Sequence, residues 1–299
     1  MKALAAYIMK GRAQAIAVAA GFAVVSLIFP LLGLLSGAAV GLITLRSGPA
    51  AGLLLTVATT VLVSAIALLT GTPLLLPTIV SIIVLLLLVW LACSILRYTR
   101  SLPQSITAVS IAGMLFVAVF HLSVGDPAVW WQSHFDEFFA QATESMMMDQ
   151  QVVFKQNLET WSEIMTGFVT MAFLLNVIFS LFVARAWQAM LYNPGGFQQE
   201  FHGLQFGKKV AIFALVVATL ALIPENIIGY ISKDLLMLVM MIYVLQGVAI
   251  VHALVALKGL HWAWLIGLYL LVFLMSQLVA ITGYIDTWLD FRKRASKQS

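Results

Sequence analysis

Charge and cysteine are both scarce in this chain. Of its 299 residues, only 9% are charged and 62% are hydrophobic, and its single cysteine, Cys93, cannot form an internal disulfide. A soluble protein of this length could not bury so much apolar surface, which excludes a water-soluble domain. The long uncharged runs predict a polytopic α-helical membrane protein, because helices satisfy their own backbone hydrogen bonds in lipid.

Motifs of known catalysts are also missing. The sequence has no GxxxxGK[ST] phosphate loop, no HExxH, no CxxC and no GxSxG. His134, Asp136 and Glu137 lie close together, but their spacing is no recognised metal site, and a solvated helix face is the expected structure. We therefore expect no enzyme activity, no metal and no cofactor. The basic residues lie in short loops and tails, so nucleic acid is not an expected partner.

Apolar runs separated by turns predict eight or nine membrane spans in one domain, residues 1–299. Residues 13–45 contain no charge, and Pro30 divides them into a hairpin of two short spans. Hydropathy favours nine spans, whereas the placement of lysine and arginine favours eight, with the shortest run re-entrant or interfacial. The expected spans are residues 13–29, 31–45, 50–70, 74–96, 104–124, 164–190, 210–223, 235–257 and 262–285.

Residues 125–163 differ from the rest because they are acidic. They contain seven acidic residues and one basic residue, Lys155. Apolar residues recur there at steps of three and four, which predicts one or two amphipathic helices at the membrane surface or capping the bundle. These apolar residues are Trp131, Phe135, Phe138, Phe139, Ala142 and Met146.

The placement of lysine and arginine predicts a cytoplasmic N-terminus. Arg46, Arg97, Arg100 and the Lys208–Lys209 pair then lie on the cytoplasmic side, and the acidic insert, residues 125–163, faces outward. We expect a multi-pass protein of the bacterial inner membrane, with the lipid bilayer as its first partner.

Small residues are spaced for close helix packing. Gly33, Gly37 and Gly41 repeat every four residues, so they share one helix face and allow another backbone to approach. Rows of alanine from Ala13 to Ala23 mark the preceding helix in the same way. Packing within the bundle is the favoured interpretation, and docking of a partner subunit is the alternative.

Polar residues inside the apolar runs are the candidate site residues, because polar groups in hydrocarbon are costly. Gln246, beside Gly247, is central in the eighth span, Asn176 is central in the sixth, and His252 follows Gln246 on another face. Each could line a small-molecule cavity, or simply form a hydrogen bond between helices. The runs as bounded above contain no pair of carboxylates, which disfavours a proton pump.

Pro224-Glu225-Asn226 is the most unusual polar break in the chain. A proline end beside an acid and an amide frees backbone carbonyls near side-chain oxygens, an arrangement that coordinates cations in some transporters. An ordinary exposed loop is the favoured alternative.

Two short segments carry a family resemblance. Phe29-Pro30-Leu31-Leu32-Gly33 and Tyr243-Val244-Leu245-Gln246-Gly247 resemble the YybS-like family of uncharacterised polytopic bacterial membrane proteins, over most of the chain apart from the acidic insert. That family is distantly similar to the substrate-binding S components of energy-coupling-factor transporters. The resemblance implies that small residues of the first helix dock a coupling subunit, although S components usually have six helices, fewer than expected here. The matching residues are Ala13, Ala17, Ala19 and Ala23.

Two functions follow as expectations. The leading one is a protein that binds or moves a small molecule without its own ATPase, with Gln246, Asn176 and His252 lining the cavity. The alternative is a membrane scaffold or assembly factor that contacts a membrane protein through the acidic insert, in which case Gln246 and Asn176 only hold helices together.

Overall fold

The structure is a computed structural model that describes the chain except residues 71–74, 145–146, 225 and 297–299. Side chains are also left undescribed at residues 75, 137–138, 140–144 and 296. Throughout the described residues the regular structure is helical, and seven helices are long and apolar enough to cross a membrane. The prediction of a polytopic α-helical membrane protein is confirmed at this level.

Thirteen α-helices are present in the described part of the chain, with one short 3-10 turn at Pro30–Leu32. In chain order they are α1 Lys2–Ile8, α2 Arg12–Val25, α3 Gly33–Ser47, α4 Pro49–Thr70, α5 Leu75–Thr99, α6 Leu102–Val124, α7 Pro127–Glu144, α8 Met148–Tyr192, α9 Gly196–His202, α10 Lys208–Leu220, α11 Ile227–Leu257, α12 Ala263–Leu289 and α13 Phe291–Ser296.

Several helix boundaries differ from the expected spans. α2 has 14 residues and α10 has 13, about 20 Å each, and neither is among the seven helices of spanning length. α8 begins at Met148, well before residue 164, because no proline or glycine interrupts the chain until Gly167 and helix formers continue through its polar first turns. α11 begins at Ile227, where the Asn226 side chain accepts a hydrogen bond from the Ile228 N–H.

The chain divides into two compact units. Unit 1 comprises residues 1–109 and 173–204, and unit 2 comprises residues 110–172 and 205–299. In unit 1, alanines of α2 pack on α3, where the Ser36 hydroxyl donates to the Ala19 carbonyl at 2.8 Å. The Arg97 guanidinium donates to the Leu45 and Arg46 carbonyls, which satisfies the C-terminal end of α3.

Unit 2 is built on the antiparallel pair α11 and α12. Their backbones touch: a Cβ on Gly283 would lie 2.1 Å from the Tyr243 carbonyl oxygen, and one on Gly247 would lie 2.3 Å from that of Val279. Close approach of this kind replaces the hydrophobic driving force that lipid removes. α10 completes the core of the unit with Ala211 and Ala214.

Candidate functional site

A histidine and an aspartate from distant helices meet inside unit 2. His121 lies in the last turn of α6 and Asp234 lies two turns into α11. The His121 Nε2 and an Asp234 carboxylate oxygen are 2.7 Å apart, and both side chains are 4% exposed. We call this pair the histidine–aspartate centre.

Helix α8 passes directly beside the histidine–aspartate centre. Gly167 on α8 has no side chain, and a Cβ there would lie 2.7 Å from an Asp234 carboxylate oxygen and 3.0 Å from the Asp234 Cα. The same helix buries the hydroxyl residues Ser162, Thr166 and Thr170 at four-residue steps. The missing side chain at Gly167 therefore lets α11 bring its carboxylate close to α8.

Aromatic rings of α7 lie next to these residues. The Trp131 indole N–H donates to the Thr166 hydroxyl at 2.8 Å, which joins α7 to α8. Trp130 contacts Phe120, the neighbour of His121, edge to face at 5.2 Å between ring centroids. His134 stacks on Trp130 at 3.9 Å. Tryptophan is enriched at membrane–water interfaces, so these rings are typical of the end of a spanning bundle.

The centre brings an imidazole and a carboxyl group into hydrogen-bond contact. A buried carboxylate is costly unless a cation or hydrogen-bond donors face it. An imidazole N–H can donate a hydrogen bond to the carboxylate, and the carboxylate can accept it, so the pair places a proton donor against a proton acceptor. Ionisable residues within membrane helices characteristically mark proton relays and ion or substrate pathways.

Gln246 occupies a second buried polar cluster in unit 2. Its side chain is 0% exposed. The amide oxygen accepts from the Phe206 N–H at 2.8 Å, and the amide nitrogen donates to the Gly283 carbonyl at 2.8 Å and lies 3.3 Å from the Asp286 carboxylate. Both ends of the amide are thus occupied by groups of this chain.

Asp286 is the charged residue of that cluster. It is 0% exposed and forms an ion pair with Arg292 at 2.7 Å. Its other carboxylate oxygen accepts from the Phe291 N–H at 2.8 Å. These contacts fix α13 to the end of α12, so the geometry around Gln246 and Asp286 joins helices.

The other two sequence candidates lie apart from these clusters in the chain. Asn176 belongs to unit 1, and its side-chain oxygen is buried without a hydrogen-bond partner among the described residues. His252 belongs to unit 2, and its Nε2 lies 3.0 Å from the Tyr269 hydroxyl. Burial of an amide oxygen without a partner is costly, so Asn176 has a vacant acceptor that a polar group could use.

The Gly33, Gly37 and Gly41 row faces α5 and α8 within unit 1. A Cβ on Gly37 would lie 2.7 Å from the Ser180 hydroxyl oxygen. On Gly41 it would lie 2.7 Å from the Ala184 Cβ and 2.8 Å from the Cys93 sulfur. Neighbouring helices occupy the space that these side chains would need.

Two of the sequence candidates for metal or cation binding fall partly outside the described residues. Glu225 of the Pro224-Glu225-Asn226 break and the side chain of Glu137 are among those left undescribed. Among the residues that the structure does describe, no three histidine, cysteine, aspartate or glutamate side chains are grouped as a metal site.

Sequence reasoning missed Asp234 and Asp286, because each adjoins a boundary drawn for an apolar run. In the structure both lie inside helices of spanning length. The sequence holds only part of the signal: apolar residues resume N-terminal to Asp234, and His121 lies in another apolar run, but the contact between the two residues is not visible in it.

No protein-family model matches the chain, and neither a curated protein nor a solved structure is significantly similar to it.

Proposed function

We propose that this chain is a multi-pass membrane protein that binds or moves a small molecule without its own ATPase, and that the histidine–aspartate centre is its proton-exchanging site. The observation that supports the proposal is the 2.7 Å contact between His121 and Asp234, with both side chains 4% exposed. A structural contact between helices needs no ionisable pair, since apolar side chains of similar volume stabilise as well or better.

The surroundings of the pair support the same proposal. Gly167 leaves the carboxylate in contact with the α8 backbone, and hydroxyl groups follow along that helix at Ser162, Thr166 and Thr170. The Ser162 and Thr170 hydroxyls donate to carbonyls of their own helix, and the Thr166 hydroxyl accepts from Trp131, so α8 carries a row of bonded hydroxyls one turn apart. Gln246 then has a supporting role, since its amide already bonds to Phe206 and Gly283.

We place the protein in the bacterial inner membrane with its N-terminus in the cytoplasm, on the distribution of lysine and arginine. In this orientation the C-terminal end of α6, which carries His121, is the outer end of that helix. The centre then lies at the end of α6 from which the acidic insert follows, beginning with α7. Membership of the YybS-like family stays a prediction.

The experiment compares Asp234→Asn and His121→Gln with the wild-type chain in a null strain. Both variants remove the shared proton and keep the approximate side-chain shape. The proposal expects that neither complements the null phenotype, although both reach the membrane in wild-type amounts and melt cooperatively in detergent. Full complementation by either folded variant contradicts it.

A screen for the ligand follows from the same variants. A small molecule that binds the native state raises the melting temperature according to its concentration and dissociation constant. A true ligand of the centre should stabilise the wild type and lose that effect in Asp234→Asn. Arg292→Gln, which alters the cluster around Asp286, is the matched control and should keep the effect.

A membrane scaffold is the second candidate, and one observation favours it. α7 and the first turns of α8 pair through Phe139 and Phe154, 5.5 Å apart. Beyond the apolar part of α8, Met148, Val152 and Val153 are 82%, 55% and 57% exposed. Exposed apolar side chains on a polar segment are typical of protein-contact surfaces.

Serine substitutions separate the two candidates. A scaffold acting through the acidic insert should lose complementation in Val152→Ser/Val153→Ser and keep it in Asp234→Asn. A transporter or binding protein should show the reverse pattern.

A further inference from the structure

A cavity of about 550 Å³ lies in unit 1 among helices α1, α2, α3 and α4. Residues at the ends of these helices line one part of it, and residues one to two turns further into the helices line the rest. The first group includes Gly11, Arg12 and Ser47, and the second includes Ile16, Ile43 and Leu55. We call this space the Arg12 cavity. It is polar at the helix ends and apolar within the bundle.

The Arg12 guanidinium has no counter-charge within unit 1. Apart from Glu200, the unit contains no acidic residue, and Glu200 already forms an ion pair with Arg185. The basic residues of the unit are Lys2, Lys10, Arg12, Arg46, Arg97, Arg100 and Arg185. Membrane topology explains why bases collect at this end of the helices, but Arg12 also lines a cavity. It forms no ion pair or hydrogen bond with the described residues, so an anion in the cavity would be its first partner.

Backbone donors at the same end add to the positive potential. The N–H groups in the first turn of a helix have no intrahelical partner and carry the positive end of the helix dipole. Helix α2 begins at Arg12 without a side-chain cap, and Ala50 and Ala51 in the first turn of α4 also line the cavity. The opposing C-terminal end of α3 is satisfied by the Arg97 guanidinium. Two helix N-termini and one arginine at a single cavity are typical of a phosphate-binding site.

The apolar part of the cavity selects the kind of anion. Leu55 comes six residues after Pro49, the first residue of α4, so the cavity extends ~9 Å along that helix. Leu55 and Ala15, which both line it, are 3% and 2% exposed. An inorganic phosphate would occupy the polar end alone and leave this apolar wall uncovered. A phospholipid would place its phosphate at the helix ends and the start of an acyl chain against the wall.

We propose that the Arg12 cavity binds an anionic phospholipid of the surrounding leaflet. Arg12 and the unpaired N–H groups of α2 and α4 donate to the phosphate oxygens, and an acyl chain lies against Ile16, Ile43 and Leu55. Basic pockets between helices on the cytoplasmic side of membrane proteins bind the head groups of anionic lipids. In the orientation proposed above, the site lies in the cytoplasmic leaflet. It belongs to unit 1 and shares no residue with the histidine–aspartate centre.

Lipid titration of the purified chain tests the ligand. Dioleoyl phosphatidylglycerol added in detergent should raise the melting temperature of the wild type, whereas dioleoyl phosphatidylcholine, whose head group has no net charge, should not. Arg12→Gln should weaken the apparent affinity for phosphatidylglycerol about tenfold, and Arg12→Lys should recover part of the loss. Arg100→Gln is the matched control, because Arg100 is exposed in the same unit and does not line the cavity. Equal stabilisation by the two lipids, or an equal loss in the two glutamine variants, overturns the proposal.

Free anions distinguish a lipid site from a simple phosphate site. Inorganic phosphate and glycerol phosphate, added at constant ionic strength, should leave the wild-type melting temperature unchanged, because neither covers the apolar wall. Stabilisation by either anion to the same extent as by phosphatidylglycerol contradicts a lipid ligand.

Photolabelling of the wild-type chain tests the place of binding without a substitution. Phosphatidylglycerol with a diazirine in its acyl chain should label residues 8–16 and 43–55 most strongly, and an excess of unlabelled phosphatidylglycerol should suppress this labelling. Labelling spread evenly over the helices, or absent from these two segments, overturns the proposal. His121 and Asp234 are unchanged in every arm, so complementation by their variants tests the proposed function separately.

Discussion

The His121 imidazole and the Asp234 carboxylate are in contact across 113 residues of sequence. The contact joins the end of α6 to the start of α11, and Gly167 of α8 lies against the same carboxylate. Three helices of unit 2 are thus held around one ionisable pair, and this arrangement makes the pair sensitive to single changes in any of them.

Breaking the pair from one side should destabilise unit 2. His121→Leu leaves the Asp234 carboxylate buried without its partner, which should cost ~3–5 kcal/mol of unfolding free energy. Denaturant titration in detergent measures this. Glu163→Gln, an exposed carboxylate on α8, is the control and should stay within ~0.5 kcal/mol of wild type.

The double variant His121→Leu/Asp234→Leu should cost less than the sum of the two single changes, because no charge remains buried. Additive costs would show that the two groups do not interact.

Gly167→Ala should disturb the same centre without touching its ionisable groups. The added Cβ would lie 3.0 Å from the Asp234 Cα, so the helices must move apart, at a cost of ~1–3 kcal/mol. Complementation should fall together with the melting temperature. Gly267→Ala on α12, where nothing lies within 4 Å of the Cβ position, is the control in unit 2 and should be at least as stable as wild type.

Gly37→Leu should destabilise unit 1. Ser180 and Val89 already fill the space that the new side chain needs, and overpacking typically costs ~1–3 kcal/mol. Gly21→Leu on α2 provides the comparison, because a Cβ there meets nothing within 4 Å. Equal melting temperatures for the two variants would exclude tight packing at Gly37.

Gln246→Leu should lower stability by ~1–3 kcal/mol and leave complementation intact in the folded fraction. The substitution removes the acceptor for the Phe206 N–H and leaves that donor buried without a partner. Melting temperature and complementation are measured on the same preparation. A stable Gln246→Leu variant that fails to complement would contradict this supporting role and favour Gln246 as a binding-site residue.

Topology is accessible to thiol labelling. In a Cys93→Ala background, Gln156→Cys should react with an impermeant maleimide in intact cells, and Gln198→Cys should react only after the inner membrane is permeabilised. Both residues are exposed, so a missing reaction reports the side of the membrane. The opposite labelling pattern would show that the chain is inserted in the opposite orientation to the one proposed above.

Composition predicts the class of fold because the hydrophobic effect and backbone hydrogen bonding leave a chain with 62% hydrophobic residues few alternatives to membrane helices. The break at Pro30 and the close packing at Gly37 depend on local geometry, and the sequence indicates both. The sequence also shows that Gln246 lies deep in the bundle, because it stands in the middle of an apolar run. The sequence does not identify its partners Phe206 and Gly283, since they come from other segments.

The ionisable centre could not be derived from local patterns. A hydropathy boundary is placed at the first charge, so Asp234 falls just outside the predicted span 235–257, although it lies inside α11. The contact with His121 offsets the free-energy cost of burying the Asp234 carboxylate, and the sequence does not display that distant contact. The length of α8 was missed similarly, because its polar first turns resemble a surface segment.

Cys93 is 0% exposed and lies against Gly41, so the one thiol of the chain is sealed inside unit 1. A water-soluble thiol reagent can reach it only when the helices packed around it separate. The rate at which the unaltered protein is labelled therefore reports spontaneous local openings of unit 1. Labelling of Cys93 thus measures the rate of local unfolding in the native sequence, without a substitution and without an added dye.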